Sequence, residues 1–296
     1  MLKTSRLLST SQRSIITRQA ICAIPTQKRC LTTEQATPSP SQQPVPEKYG
    51  QFRSPPTSLG VKDPPVVDHN NWLQRKKQKL RDFVDYEKAF AAHAAERRYL
   101  VEEATKSYFA DVHEMRQHGG KMYFASSQLV KPEKAGYMPN FEAQNLSRQK
   151  INTTGKLVGK ITLMTFVYAK FGEPHVNTFI KPFLEKYKDH KDIQVVEVNV
   201  QENMLKQLLL KLFMPSIRKN LPIERKDNYC LILKDISRTR RFLDMTNQYI
   251  GYSFLVDENC KIRWTAHGEA TSEEVGNMLA MTDYLYDKKL AHDNKN

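Results

Sequence analysis

Gly251-Tyr252-Ser253-Phe254-Leu255-Val256-Asp257-Glu258-Asn259-Cys260-Lys261-Ile262-Arg263-Trp264 reads as two strands folded back on a turn at Asp257-Glu258-Asn259. Aromatic and branched residues flank a short polar insert, which is the pattern of a hairpin. Shortly after it, Thr271 with Glu274 three positions on offers a capping box, so a final helix is predicted from Thr271 to about Tyr286. Upstream, Ile161-Thr-Leu-Met-Thr-Phe-Val-Tyr168 is an apolar run of strand length, and Ile193 to Val200 alternates apolar and polar residues. Asn228 to Leu233 reads as a third strand. Helices are predicted between them, from about Pro174 to Lys188 and from Met204 to Phe213, with Pro215 following the second.

The order is β-α-β-α-β-β-α. Strands alternating with helices require a sheet with helical cover, and a terminal hairpin followed by a helix is the thioredoxin-like α/β arrangement. In enzymes of that fold the nucleophilic cysteine follows the first core strand, where a helix N-terminus stabilises the thiolate. Here that place is Ala169-Lys170-Phe171-Gly172-Glu173-Pro174, and no Cys, Ser or Thr occurs before Thr178. The fold usually carries a cis-proline ahead of its hairpin. The matching stretch, Asn247-Gln248-Tyr249-Ile250-Gly251, has none.

The four cysteines, at 22, 30, 230 and 260, include no C-x-x-C. With Cys22 and Cys30 in a segment expected to be removed, the remaining pair offers neither a disulfide framework nor a zinc set, and it fits a reducing compartment. The eight histidines show no H-x-x-H or H-E-x-x-H spacing. G-x-S-x-G, a phosphate loop and a dinucleotide fingerprint are absent from the sequence. No catalytic residue, cofactor or metal ligand is expected, and the chain reads as a non-enzyme. A thioredoxin-fold oxidoreductase or peroxidase using Cys230 or Cys260 is the alternative. His267-Gly268-Glu269 is read as a loop positioning the last helix, with ligand binding as the lesser reading.

Residues 1–31 carry Lys3, Arg6, Arg13, Arg18, Lys28 and Arg29 and no acid, with Leu and Ile at helical spacing. That is the composition of a mitochondrial transit peptide, and Arg29-Cys30-Leu31 suggests cleavage after Leu31. Removing those six cations from the net +14 leaves +8. Charge alone is then a poor argument for nucleic acid, and no aromatic-basic RNA motif accompanies it, so no nucleic-acid partner is expected. Residues 32–67 are proline-rich and read as a linker within a disordered N-terminal region. Residues 68–118 read as a long amphipathic helix with Arg75, Lys76, Lys77, Lys79 and Arg81 in its first turns, ended by Gly119-Gly120. It either packs by its apolar stripe or meets an anionic surface or partner helix. An extended connector (119–150), the thioredoxin-like domain (151–288) and a tail (289–296) complete the expected organisation. No apolar run approaches the roughly 20 residues of a membrane span.

Gly136-Tyr-Met-Pro-Asn-Phe141, Gly159-Lys-Ile-Thr-Leu163, the block from Asn247 to Asp257, Cys260-Lys-Ile-Arg-Trp264 and His267-Gly-Glu-Ala-Thr271 with Glu274 carry family character. Together they resemble the mitochondrial ATP synthase assembly factor family that is tenth in the yeast naming series, over about residues 50–285. The resemblance implies a matrix-side protein at the inner membrane surface. It also implies a chaperone for the Fo sector that binds new subunit six (subunit a) and helps it join the subunit nine ring, with no enzymatic activity. It implies no residue-level binding site. Candidates for partner contact are Met204, Leu205, Leu209 and Phe213, from a helix apolar nearly all round, and Tyr252, Arg263 and Trp264 from the motif block. A helix sandwiched in the core is the competing reading of the first group.

Overall fold

All seven residues of β3 (Ile161–Val167) are buried, because this strand lies inside the sheet and is covered on both faces. The computed structural model describes residues 52–65, 94, 97, 98, 101 and 110–293. The expected transit peptide, most of the proline-rich linker and most of the long basic helix lie outside the described residues. Within the span read as that helix, α1 (Ala110–His118) is described, and Gly119 and Gly120 follow it at φ 58° and 81°. Glycine reaches this left-handed region without the Cβ penalty, so the pair closes the helix.

The remaining elements are β1 (Glu142–Asn145), β2 (Lys150–Asn152), α2 (Thr153–Leu157), β3, α3 (Gly172–Tyr187), β4 (Ile193–Val200), α4 (Met204–Asn220), α5 (Ile223–Lys226), β5 (Tyr229–Ile232), α6 (Ser237–Arg240), β6 (Tyr252–Val256), β7 (Ile262–His267) and α7 (Ser272–Asp293). They build one seven-stranded sheet in the order β2-β1-β5-β4-β3-β6-β7. β3, β4 and β5 run parallel, and β6 is antiparallel to β3 with β7 hairpinned onto it. This is the thioredoxin-like arrangement. The three parallel strands and the hairpin make five strands where the condensed order β-α-β-α-β-β-α writes four. β1, in the expected connector, and β2, across its boundary with the domain, add two more.

Period-2 alternation sorts the sheet's side chains onto two faces, except that a bulge at Arg263 puts Ile262 and Trp264 on opposite faces. Ile161, Leu163, Val195, Leu255 and Trp264 face α3 and α7 and meet Val176, Phe179, Phe183 and Met278. Met164, Phe166, Val196, Val198, Phe254 and Ile262 point the other way. Among the described residues no long helix covers that second face. The 119–157 segment does, with Met122, Tyr123, Met138, Phe141 and Leu157 in its core. Each such side chain contributes about 1.5–3 kcal/mol on burial, so the connector is part of the fold rather than a tether to it.

Two helices outrun their expected ends. α4 continues through Pro215 to Asn220, because Met214 is buried beyond Phe213 and Leu210, Ile217 and Leu221 pack with it. α7 runs to Asp293, past the boundary expected at 288. Its N-terminus is the predicted capping box: Thr271 N–H donates to Glu274 Oε2 at 2.9 Å and Glu274 N–H to Thr271 Oγ1 at 3.2 Å.

Candidate functional site

The place where a thioredoxin-fold enzyme holds its thiol is filled here by backbone. A Cβ on Gly251 would lie 2.4 Å from the Gly172 carbonyl oxygen, and one on Gly172 would lie 3.0 Å from Gly251 N. The start of α3 and the entry to β6 therefore touch main chain to main chain. Behind them, Gly251 N–H points at His175 Nδ1 (3.4 Å), and burial lowers the His175 pKa. Phe171 stands 63% exposed at the helix start, and no side chain caps that helix. The missing cysteine and proline thus coincide with a close approach of two backbones that blocks a side chain at Gly251 and crowds one at Gly172.

Beside this closed site, the residues of the motif block clasp the connector. Lys121 Nζ lies 2.5 Å from Glu274 Oε2, and it also donates to the carbonyls of His267 (3.1 Å) and Glu269 (2.9 Å). Burial lowers the Lys121 pKa against the opposing pull of Glu274. The other oxygen of Glu274 accepts from Ala125 N–H at 2.7 Å. Met122 N–H donates to His267 Nε2 at 2.7 Å, which places the ring proton on Nδ1. Burial, reinforced by Lys121, holds the His267 pKa well below its ordinary value, so the ring is neutral. Gly268 (φ 65°) lets the main chain pass Gly120, whose carbonyl oxygen would sit 2.4 Å from any Cβ.

The same accounting relocates three of the expected contact residues. Tyr252, Arg263 and Trp264 are buried in the core. The Tyr252 hydroxyl bridges the Asn247 N–H and carbonyl at 2.9 and 3.0 Å. Arg263 pairs with buried Asp257 at 3.1 Å and donates to Val130 O at 2.7 Å. Trp264 Nε1 donates to Ser126 O at 2.7 Å. A partner needs accessible surface, which these side chains lack, so their role is to fix the hairpin and the connector. Of the other candidates, the side chains of Met204, Leu205 and Leu209 lie outside the described residues, while Phe213 is 61% exposed and its neighbour Leu212 68%.

Neither thiol is set up for chemistry. Cys230 faces the core in β5 and Cys260 sits in the hairpin turn at φ 63°. Burial pushes each pKa up to about 11. Thiolate is the reactive form, so alkylation of the native protein by iodoacetamide at neutral pH should proceed at least tenfold more slowly than in denaturant. Mass spectrometry of the labelled peptides checks this, and fast native labelling of either residue would restore the redox reading. Among the described residues no group of His, Cys, Asp and Glu is placed to hold a metal.

What the surface does offer is a groove of about 630 Å³ between α3 and α4. Val176 forms one wall and Leu210, Phe213 and Ile217 the other, with Thr165, Val167, Glu197 and Asn199 as floor. Glu197 is held by a two-point pair with Arg225, at 2.6 Å from both Nε and Nη2. No cysteine or histidine lines the groove. An apolar wall over a polar floor suits an amphipathic helix laid along it. The sequence flagged Phe213 but not the opposite wall, because α3 and the strands approach α4 only through tertiary packing.

The family described as ATP10 protein matches residues 39–285, most of the chain. The chain belongs to the ATP10 protein family. It is 28% identical over 246 residues to the mitochondrial ATPase complex subunit ATP10 of Candida glabrata, covering 79% of this chain and 84% of that protein. To the Saccharomyces cerevisiae protein of the same name it is 28% identical over 213 residues, covering 66% and 74%. Among solved structures, it is similar to a DsbF homologue of Corynebacterium diphtheriae (12% identity, TM-score 0.38, 53% of this chain and 91% of that one). A SCO1/SenC family lipoprotein of Bacillus anthracis is a further neighbour (18%, TM-score 0.37, 50% and 93%). In this member of the ATP10 family, the resemblance blocks from Cys260 to Trp264 and from His267 to Glu274 are the ones that clasp the connector to the sheet.

Proposed function

We propose that this chain is an assembly factor of the mitochondrial ATP synthase, acting by binding rather than by catalysis. Membership of the ATP10 family over residues 39–285 is the observation that carries the reading. The closed helix start at Gly172 and the raised thiol pKa values support the absence of redox chemistry. The client is newly made subunit six, which the factor holds until it joins the subunit nine ring at the matrix face of the inner membrane. No helix among the described residues is long and apolar enough to cross a membrane, which suits a factor working from the surface. The contact is the groove between α3 and α4, where one helix of the client lies against Leu210, Phe213 and Ile217.

The experiment is a pulse-chase of mitochondrially made proteins in cells lacking this gene, rescued with wild type, Phe213→Glu or Cys230→Ser/Cys260→Ser. New subunit six should be made but degraded without the factor. Wild type and the double serine form should restore its assembly. Phe213→Glu should lower assembly at least tenfold while shifting stability by less than about 0.5 kcal/mol, as exposed substitutions do. Normal subunit six assembly without the factor would exclude this client. Full rescue by Phe213→Glu would move the contact elsewhere.

A further inference from the structure

At the other end of α3 the chain builds a small pocket of different character, about 230 Å³ in volume. It lies between the turn after α3 and the start of β4. Phe183, Leu184 and Ile193 give it an apolar wall, and Lys160, Lys188 and Lys191 stand around it. Arg225 also reaches it, but that guanidinium is already neutralised by Glu197. No Asp or Glu lines the pocket.

What sets these three lysines apart is their place around one concavity, since unpaired lysines such as Lys131, Lys150 and Lys181 occur elsewhere on the surface. Lys121, Lys186, Lys234 and Lys289 each have a carboxylate partner, in Glu274, Asp283, Glu142 and Asp192. Among the described residues Lys160, Lys188 and Lys191 have none. Asp192, the acid next in sequence to Lys191, is turned to Lys289 at 3.0 Å. Three uncompensated ammonium groups around a concavity with an apolar wall focus positive potential there. We propose that this pocket binds a phosphate group carried on a partly apolar molecule. Several lysines can share the oxygens of one phosphate through charge-assisted hydrogen bonds, and the Phe183-Leu184 wall suits the carbon skeleton attached to it. A phospholipid headgroup and a soluble phosphate ester share this chemistry. The inference rests on the pocket alone and stands whether or not subunit six is the client.

The test uses the full chain, the Lys160→Gln/Lys188→Gln/Lys191→Gln variant, and a second variant with Arg75, Lys76, Lys77, Lys79 and Arg81 changed to Gln. Binding is measured by flotation with phosphatidylcholine vesicles with and without phosphatidylglycerol. In parallel, amide shifts of residues 188–194 are followed on adding glycerol 3-phosphate. Each lysine should contribute about fivefold near an anionic surface, so the triple variant should bind phosphatidylglycerol vesicles about a hundredfold more weakly. That result assigns the site to a lipid. Unchanged vesicle binding, with glycerol 3-phosphate shifts that vanish in the triple variant, assigns it to a soluble ester. Vesicle binding and shifts both unaltered by the triple change would overturn the proposal, as would vesicle binding lost only in the Arg75–Arg81 variant with no phosphate response. Should the triple variant fail to fold, the three single substitutions supply the same comparison in fivefold steps.

Discussion

Glu274→Ala should destabilise the fold by about 3–5 kcal/mol, the range for stripping one partner from a buried ion pair. Lys121 and Glu274 are 11% and 4% exposed in their side chains and 2.5 Å apart. Removing the carboxylate leaves an ammonium in a poorly solvated site and orphans the N–H groups of Ala125 and Thr271. The remaining protein should respond to pH in a definite direction. Burial already lowers the Lys121 pKa from 10.5, and Glu274 is the main group that raises it, with a smaller pull from Glu269. Without Glu274 the folded-state value falls further below that of the unfolded chain. The unfolded state then binds more protons between the two values, so stability rises with pH and the deficit shrinks toward alkaline conditions. Urea denaturation across the pH range checks both magnitude and sign. Lys121→Met/Glu274→Ala should recover only the part due to the unpaired ammonium, since the N–H groups of Ala125 and Thr271 stay unmatched. A loss under 1 kcal/mol in the single variant would mean that the clasp holds nothing.

The parts of this fold that were legible in the sequence are those whose signal is local. β3 and β4 are short apolar or alternating runs, the hairpin has its turn residues between them, and the Thr271–Glu274 box lies within one turn of chain. What escaped is non-local. The connector puts single side chains into the core at irregular spacing, and its hydrogen bonds go to distant partners, as with Val130 N–H to Arg263 O and Phe141 N–H to Thr153 Oγ1. Such pairings leave no periodicity to read. The helix expected to end at Phe213 runs on through Pro215, because Met214 is buried beyond it. At the candidate site, residue type was a poor guide to role. Tyr252, Arg263 and Trp264 are the kinds of side chain that anchor interfaces, and each also has a polar tip that can tie down a buried loop. Only the structure shows that Asn247, Val130 and Ser126 occupy those tips. The two surface features, the groove at Phe213 and the pocket at Lys160, draw their walls from segments far apart in the chain.

Trp264→Ala should cost about 3–5 kcal/mol, the range for emptying a buried aromatic site. The indole is 1% exposed, packs edge-on to Phe179 with centroids 6.0 Å apart, and sits in the cluster with Val176, Met278 and Leu285. Its removal opens a cavity between α3, α7 and the sheet and frees the Ser126 carbonyl. Trp264→Phe separates the two contributions. It keeps most of the volume and loses the 2.7 Å bond to Ser126 O, so the expected cost falls to about 1–3 kcal/mol for an unmatched buried polar group. Because that bond ties the connector and not the core, Trp264→Phe should expose the chain around Ser126 to limited proteolysis before the sheet melts. Chemical denaturation gives the magnitudes, and digestion timed against it gives the order. A Trp264→Ala protein that folds with wild-type stability but no longer supports ATP synthase assembly would return the residue to a partner-facing role. The burial and the Ser126 bond argue for the opposite pattern, in which stability and assembly are lost together.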